Sequence, residues 1–119
     1  MNYDAKQRIV QELVPGKQVS LAHIIANPDK SILAALKLDM GNEMDSTSIG
    51  VLTVTPPQTA IILADIAVKS AGVRIAHLDC YESGSLMVAG TVSQVKSSVG
   101  AVLTYVENRL GYEICDITQ

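Results

Sequence analysis

Rings are scarce in this chain. Its 119 residues include four Tyr but no Phe and no Trp, so aromatics make up 3 %. With no aromatic platform, stacking of single-stranded bases is excluded as a binding mode. Charge is scarce as well: Asp, Glu, Lys and Arg account for 18 % of residues, against roughly 25 % in an average soluble domain. Nine basic residues face 12 acidic ones, for a formal charge of -3. They form no Lys/Arg cluster, which argues against duplex DNA as a partner. Two cysteines, Cys80 and Cys115, are too few and too far apart for a disulfide framework or a four-Cys zinc site. Both are expected as reduced, buried thiols. No apolar run approaches the ~18 residues of a membrane span, and residues 1–14 are too polar for a signal peptide. These absences lead us to expect a cytosolic protein with no nucleic-acid or membrane partner.

What is present is aliphatic. Hydrophobic residues reach 48 %, carried by Ala, Val, Ile and Leu. The length suits one domain of the common size of roughly 100–150 residues, which buries about two-thirds of its unfolded surface. A small, lightly charged, aliphatic chain is either a very compact monomer or a protomer whose flanks are covered by neighbours.

Three helix starts are signalled. Asn27-Pro28 places a capping side chain before a proline, whose missing N–H is harmless at the first helical position; a short helix over 28–38 is expected. Thr55-Pro56-Pro57-Gln58 reads as a capping box opening a helix to residue 71, with Gly72 as its stop. Thr91-Val92-Ser93-Gln94 repeats the box. Val95, Val99, Val102, Val106 and Leu110 then recur at helical steps until Gly111. Strands are expected at 18–25, 49–55, 73–81, 86–90 and 112–117. Glu82, Ser83, Gly84 and Ser85 form a short hairpin loop between the third and fourth of these. Residues 39–48 lack periodicity and read as a surface loop.

From residue 48 onward the order is strand, helix, strand, strand, helix, strand. That is an α+β, ferredoxin-like split βαβ arrangement, an antiparallel sheet with both long helices on one face. An extra strand and short helix precede it, behind a polar leader at 4–14. Covering one sheet face only is a physical reason to expect self-assembly.

Val14-Pro15-Gly16-Lys17-Gln18-Val19 and Leu21-Ala22-His23-Ile24-Ile25-Ala26-Asn27-Pro28 resemble the opening of circularly permuted bacterial microcompartment (BMC) shell proteins of the ethanolamine- and propanediol-utilization types. The likeness continues through Ile49-Gly50-Val51-Leu52-Thr53 and Asp65-Ile66-Ala67-Val68-Lys69-Ser70-Ala71-Gly72-Val73. It closes with Gly90-Thr91-Val92 and Cys115-Asp116-Ile117-Thr118, covering residues 9–118. The resemblance implies a structural protein rather than an enzyme. Such subunits form flat hexamers that tile with other shell proteins around encapsulated enzymes and retain an aldehyde. It implies two parts, a leader at 1–14 and a permuted shell domain at 15–119, with 39–48 as the new connection. In the family the leader joins its symmetry copies in a small β-barrel over the pore, a role that falls here to Arg8, Ile9, Val10, Gln11, Glu12, Leu13 and Val14.

The same resemblance places Lys69 at the hexamer edge, where a flexible stem and ammonium meet a neighbour. The standard domain carries an arginine in a Pro-Arg-Pro-His turn at that edge. Here the stretch is Ala26-Asn27-Pro28-Asp29, so Asn27 stands without an arginine. The hairpin Glu82, Ser83, Gly84, Ser85 corresponds to the pore loop, where Ser hydroxyls and backbone N–H groups would guide a polar solute. His23, His77, Asp79 and Cys80 are the residues that look like chemistry. Their spacing supplies no local Cys–His pair, and His23 in an apolar strand reads as a structural hydrogen-bonding residue. No catalytic residue, metal or cofactor is expected. Two other classes fit the bare fold: a ferredoxin-like regulatory module binding a small ligand, and a small enzyme using His77 or Cys80. The residues leave open whether ethanolamine, propanediol or choline is the substrate of the compartment.

Overall fold

The computed structural model describes residues 16–37 and 47–119. Its elements are β1 (Gln18–Ile25), α1 (Lys30–Ala35), β2 (Ser48–Thr55), α2 (Thr59–Ser70), β3 (Arg74–Asp79), β4 (Ser85–Gly90) and α3 (Val92–Leu110). The sheet runs β1-β2-β4-β3, with every neighbouring pair antiparallel. One expected strand is corrected. The segment at 112–117 is not a sheet strand and makes only two isolated parallel bridges, Gln18↔Glu113 and His23↔Thr118. The reason is competition for an edge: β1 already pairs with β2 from Gln18↔Thr55 to Ile25↔Ile49. The closing segment can reach only the outer side of β1. A bulge between Val19 and Leu21 interrupts that side, and the two bridges flank it.

Alternation along the strands sets the core. Leu52 and Val54 of β2, with Leu86 and Val88 of β4, are buried beneath α2 and α3. The stripe Val95, Val99, Val102 and Val106 is fully buried, and Leu110 packs half-buried at its end. Full burial is worth at least about 1.5 kcal/mol per valine side chain. Close approach makes this possible without rings. A Cβ on Gly50 would stand 2.9 Å from Val95 Cγ1 and 3.1 Å from both Val88 and Val99, so a glycine lets α3 rest on β2. On the other helix, Ala60, Ala64 and Ala67 are buried. The buried Ser98 hydroxyl donates to the Ala67 carbonyl at 3.1 Å, satisfying a polar group between the two helices. The two long helices thus share one sheet face, as expected. The short α1 lies over the other face, where Leu33 clusters with Ile49 and Ala89.

Helix ends follow the sequence unevenly. The Thr91–Gln94 box forms: Thr91 N–H donates to Gln94 Oε1 at 2.9 Å and Gln94 N–H to Thr91 Oγ1 at 3.2 Å. Gly111 ends α3 with φ +72°. The box expected at Thr55 does not form, because Thr55 is still paired in the sheet. The first N–H groups of α2 instead reach backbone carbonyls, Thr59 to Pro56 and Ala60 to Pro57, both at 3.0 Å. For α1 the cap is Asp29 rather than Asn27, since Asn27 has φ +50° and stands outside the helix. The Asp29 carboxylate accepts from the Ser31 N–H and hydroxyl, which hold its pKa below the ordinary value. This helix stops at Ala35, short of the expected residue 38, where Lys37 turns to φ +61°. Most of the expected loop at 39–48 lies outside the described residues.

Two glycines separate a structural requirement from a tolerated one. Gly84 has φ +64°, and a Cβ there would fall 2.1 Å from the Val54 carbonyl oxygen and 2.8 Å from Pro57 Cα. Gly84→Ala should cost at least about 2 kcal/mol through strain alone. Gly100, inside α3, faces open space: a Cβ there would meet nothing within 4 Å. Gly100→Ala should therefore be neutral or stabilise by up to ~1 kcal/mol. Urea unfolding of both variants checks the contrast; equal midpoints would refute it.

Candidate functional site

The hairpin after β3 is built around one carboxylate. Asp79 Oδ1 accepts from the N–H groups of Tyr81 at 2.9 Å and Glu82 at 3.3 Å. Its Oδ2 accepts from the Ser83 N–H at 3.2 Å and the Ser83 hydroxyl at 2.7 Å. Ser83 Oγ also lies 2.9 Å from Ser85 Oγ. The Tyr81 N–H, first of all, together with the Ser83 hydroxyl and the Ser83 and Glu82 amides, holds the Asp79 carboxyl far below the usual carboxylate range. The loop's N–H groups at Tyr81, Glu82 and Ser83 are therefore turned inward onto their own strand end. Within the single chain these three N–H groups are thus engaged by Asp79. Glu82 is exposed, and Tyr81 beside it is 87 % exposed. Sequence reasoning placed Asp79 among residues that look like chemistry and missed its role as loop organiser. The available signal was an Asp at a strand end leading into a Ser/Gly turn.

The other suspected chemical residues stay apart. His77 sits opposite Met87 in register, and Met87 packs in the cluster on the α1 face. Cys80 packs against the main core instead, as does Cys115; both are free thiols and half-buried. His23 Nδ1 lies 2.6 Å from Thr118 Oγ1, the structural hydrogen bond expected of it. Among the described residues no three His, Cys, Asp or Glu side chains converge on a metal-sized site.

Of the edge candidates, Lys69 lies in the last turn of α2. Its Nζ is 2.9 Å from Asp65 Oδ2 one turn earlier, with the two side chains 73 % and 57 % exposed. Asn27 is exposed, and its N–H donates to the Ser48 hydroxyl at 3.2 Å. The structure therefore leaves both side chains open at the surface. The leader residues Arg8, Ile9, Val10, Gln11, Glu12, Leu13 and Val14 lie outside the described residues.

A surface that residue-by-residue reading missed lies along α2. Its outward face carries Ile61, Ile62 and Val68, all more than 40 % exposed, while Ile75 and Leu78 of the neighbouring β3 are also open. The signal was in the segment Thr59–Ser70, which is apolar on more than one side. A helix apolar all round is one that expects cover on all sides.

A family model described as the BMC domain matches residues 48–116. The chain is 39 % identical to the bacterial microcompartment shell protein EutS of Escherichia coli (strain K12), over 96 % of this chain and 97 % of that protein. It is 42 % identical to the shell protein PduU of Salmonella typhimurium (strain LT2), over 94 % of this chain and 92 % of PduU. Among solved structures it is similar to a flat hexamer of CutR, with TM-score 0.79 and 40 % identity over 88 % of this chain and 92 % of that one. CutR has also been solved as a screw with a 41.9 Å pitch and as a domain-swapped dimer. EutS and PduU are named as shell proteins rather than enzymes. On the matched BMC domain and on relatives that align with nearly its whole length, this chain belongs to the bacterial microcompartment shell-protein family.

Proposed function

We propose that the chain is a circularly permuted, hexameric shell subunit in the bacterial cytoplasm, tiling with other shell proteins around an aldehyde-producing catabolic pathway. Its work is assembly, with contacts to encapsulated enzymes as a secondary role. The observation that carries this reading is the apolar surface the single chain leaves open. Leu21, Ile25, Ile61, Ile62, Val68, Ile75 and Leu78 are between 37 % and 53 % exposed, on both sheet edges and along α2. Exposed aliphatics grouped along one helix, as Ile61, Ile62 and Val68 are, mark an interaction surface. A ring joins two different surfaces of each copy head to tail, and open aliphatics at both sheet edges suit that geometry. The flat hexamer of CutR supports the same reading.

Permutation is supported by the order of elements. The BMC match begins at residue 48, where β2 starts, yet the sheet is completed beside β2 by β1 from ahead of that span. A fourth strand moved to the front of the domain produces this order. The hairpin Glu82, Ser83, Gly84, Ser85 then lines the axial opening. With three backbone N–H groups held by Asp79, the loop presents the Glu82 carboxylate, which favours cations over anions. Lys69 and Asn27 lie at the hexamer edge. The exposed Lys69–Asp65 pair is worth at most about 0.5 kcal/mol, so the ammonium is readily exchanged to a neighbour's carbonyls. Residues 8–14 cap the opening.

Sizing chromatography with negative-stain microscopy tests the ring: six-fold particles are expected, and a stable monomer would overturn the proposal. Lys69→Glu should leave the hexamer and its unfolding midpoint unchanged but weaken two-dimensional sheets, whereas undiminished sheets would remove Lys69 from the edge. Deleting residues 1–14 should leave the ring and uncover the opening; a ring that falls apart would contradict the leader's placement. Asp79→Asn should loosen the hairpin and lower stability at pH 7. The Asp79 pKa is depressed on folding, so its contribution is fully present above the unfolded value near 3.9. It fades as pH falls below that value towards the folded pKa. The stability gap between the variant and the parent chain should therefore stay constant from pH 7 to about pH 5 and narrow below about pH 4. A gap that widens on acidification would refute the role of the carboxylate.

A further inference from the structure

The two edges of the sheet are protected differently. Both edge strands carry a bulge, between Ile75 and His77 in β3 and between Val19 and Leu21 in β1, but only β3 bears charges, Arg74 at its start and Asp79 at its end; charges are an ordinary guard against strand addition. β1 reads QVSLAHII, with no Asp, Glu, Lys, Arg, Pro or Gly in it. Such an uncharged run with high β-propensity is the kind of edge that recruits another strand. Nothing in its own composition defends it.

What covers it is the closing segment. Glu113 N–H donates to the Lys17 carbonyl at 3.1 Å, and the Val19 N–H donates to the Glu113 carbonyl at 2.8 Å. Further along, Thr118 N–H donates to the Ala22 carbonyl and Ile24 N–H to the Thr118 carbonyl, both at 2.9 Å. A side-chain staple, His23 Nδ1 to Thr118 Oγ1 at 2.6 Å, fastens the far end. At the near end Tyr112 Oη lies 2.7 Å from Thr59 Oγ1. These attachments lie at the two ends, and no bridge joins the stretch between them. Glu113 and residues 116–119 are exposed.

We infer that residues 113–118 are a strap over a latent strand-pairing edge, and that the occupant of the bared edge is β1 of a second copy of this chain. Lifting the strap strands two N–H donors, at Val19 and Ile24, and two acceptors, at Lys17 and Ala22, on an apolar strand. Unpaired backbone groups of this kind seek partners. The same edge on a second copy offers the same groups about a two-fold axis, so the pairing is self-complementary, and no like charges within β1 oppose it. The strap thus keeps subunits from adding strands through the β1 backbone, leaving side-chain surfaces, the edge aliphatics among them, to direct their assembly. This holds whatever ring the full chain forms, because the comparison is between strapped and unstrapped chains.

The test uses two strap variants, deletion of residues 114–119 and Thr118→Pro in the full chain. The proline removes both the Thr118 N–H donor and the stapling hydroxyl while leaving every core side chain in place. Hydrogen exchange at Ile24 and particle mass by light scattering are compared with the unaltered chain. Exchange at Ile24 should quicken by about tenfold, in the deletion because its acceptor, the Thr118 carbonyl, is gone, and in Thr118→Pro because the strap end is no longer held to the Ala22 carbonyl and to His23. Particle mass should at least double relative to the unaltered chain, with thioflavin T binding if pairing propagates. Adding Ser20→Lys, at an exposed position of β1, should return the particles to their original size. Quickened exchange without a mass increase would overturn the inference, as would unchanged protection at Ile24. So would association that persists with Ser20→Lys, since that would point to general apolar exposure. If the deletion fails to fold, Thr118→Pro decides.

Discussion

The fold depends on how closely α3 approaches β2. A chain with no Phe and no Trp, and no Tyr among its buried core residues, has no ring to fill a thick layer between sheet and helix. It makes the layer thin instead. Gly50 leaves room for Val95 and Val99, and small residues on α2 let the two helices lie against each other. At native packing density such a core loses dispersion contacts with any gap. Its stability therefore comes from fit among branched aliphatics rather than from a few large anchors.

A thin layer has a consequence at the surface. Aliphatic residues suited to close packing are also found on the outward face of α2 and on both edge strands. Among the described residues the short α1 covers part of the second sheet face, where Leu33 meets Ile49 and Ala89. The same economy of charge that permits a tiled assembly makes uncontrolled association a hazard. The structure answers with local devices: terminal charges on β3, a strap on β1, and a hairpin whose amides are tied to Asp79. Membership of a shell-protein family and the management of exposed apolar surface are two sides of one physical constraint.

Some of the candidate site was legible in advance and some was not. The hairpin at Glu82–Ser85, the open position of Lys69 and the structural role of His23 follow from residue type and spacing. The engagement of the loop amides did not. Whether a backbone N–H faces solvent or a carboxylate depends on the path of the turn, and Asp79 lies outside the loop it organises. The apolar face of α2 was equally hidden, since an isoleucine in a helix reads as core until the core is seen to be full.

The sequence alone determined those features whose partners lie within a few residues. These are the Thr91–Gln94 box, the Gly111 stop, the valine stripe of α3 and the alternation in β2 and β4. Their hydrogen bonds and periodicities are local, so they form the same way in any context. Tertiary structure decided which strand stands beside β2, which face α1 covers and whether the closing segment becomes a strand. His23 and Thr118, 95 positions apart, meet because β1 had already taken the only edge of β2 left open. A β-prone segment specifies a willingness to pair; which edge is free is a property of the assembled sheet.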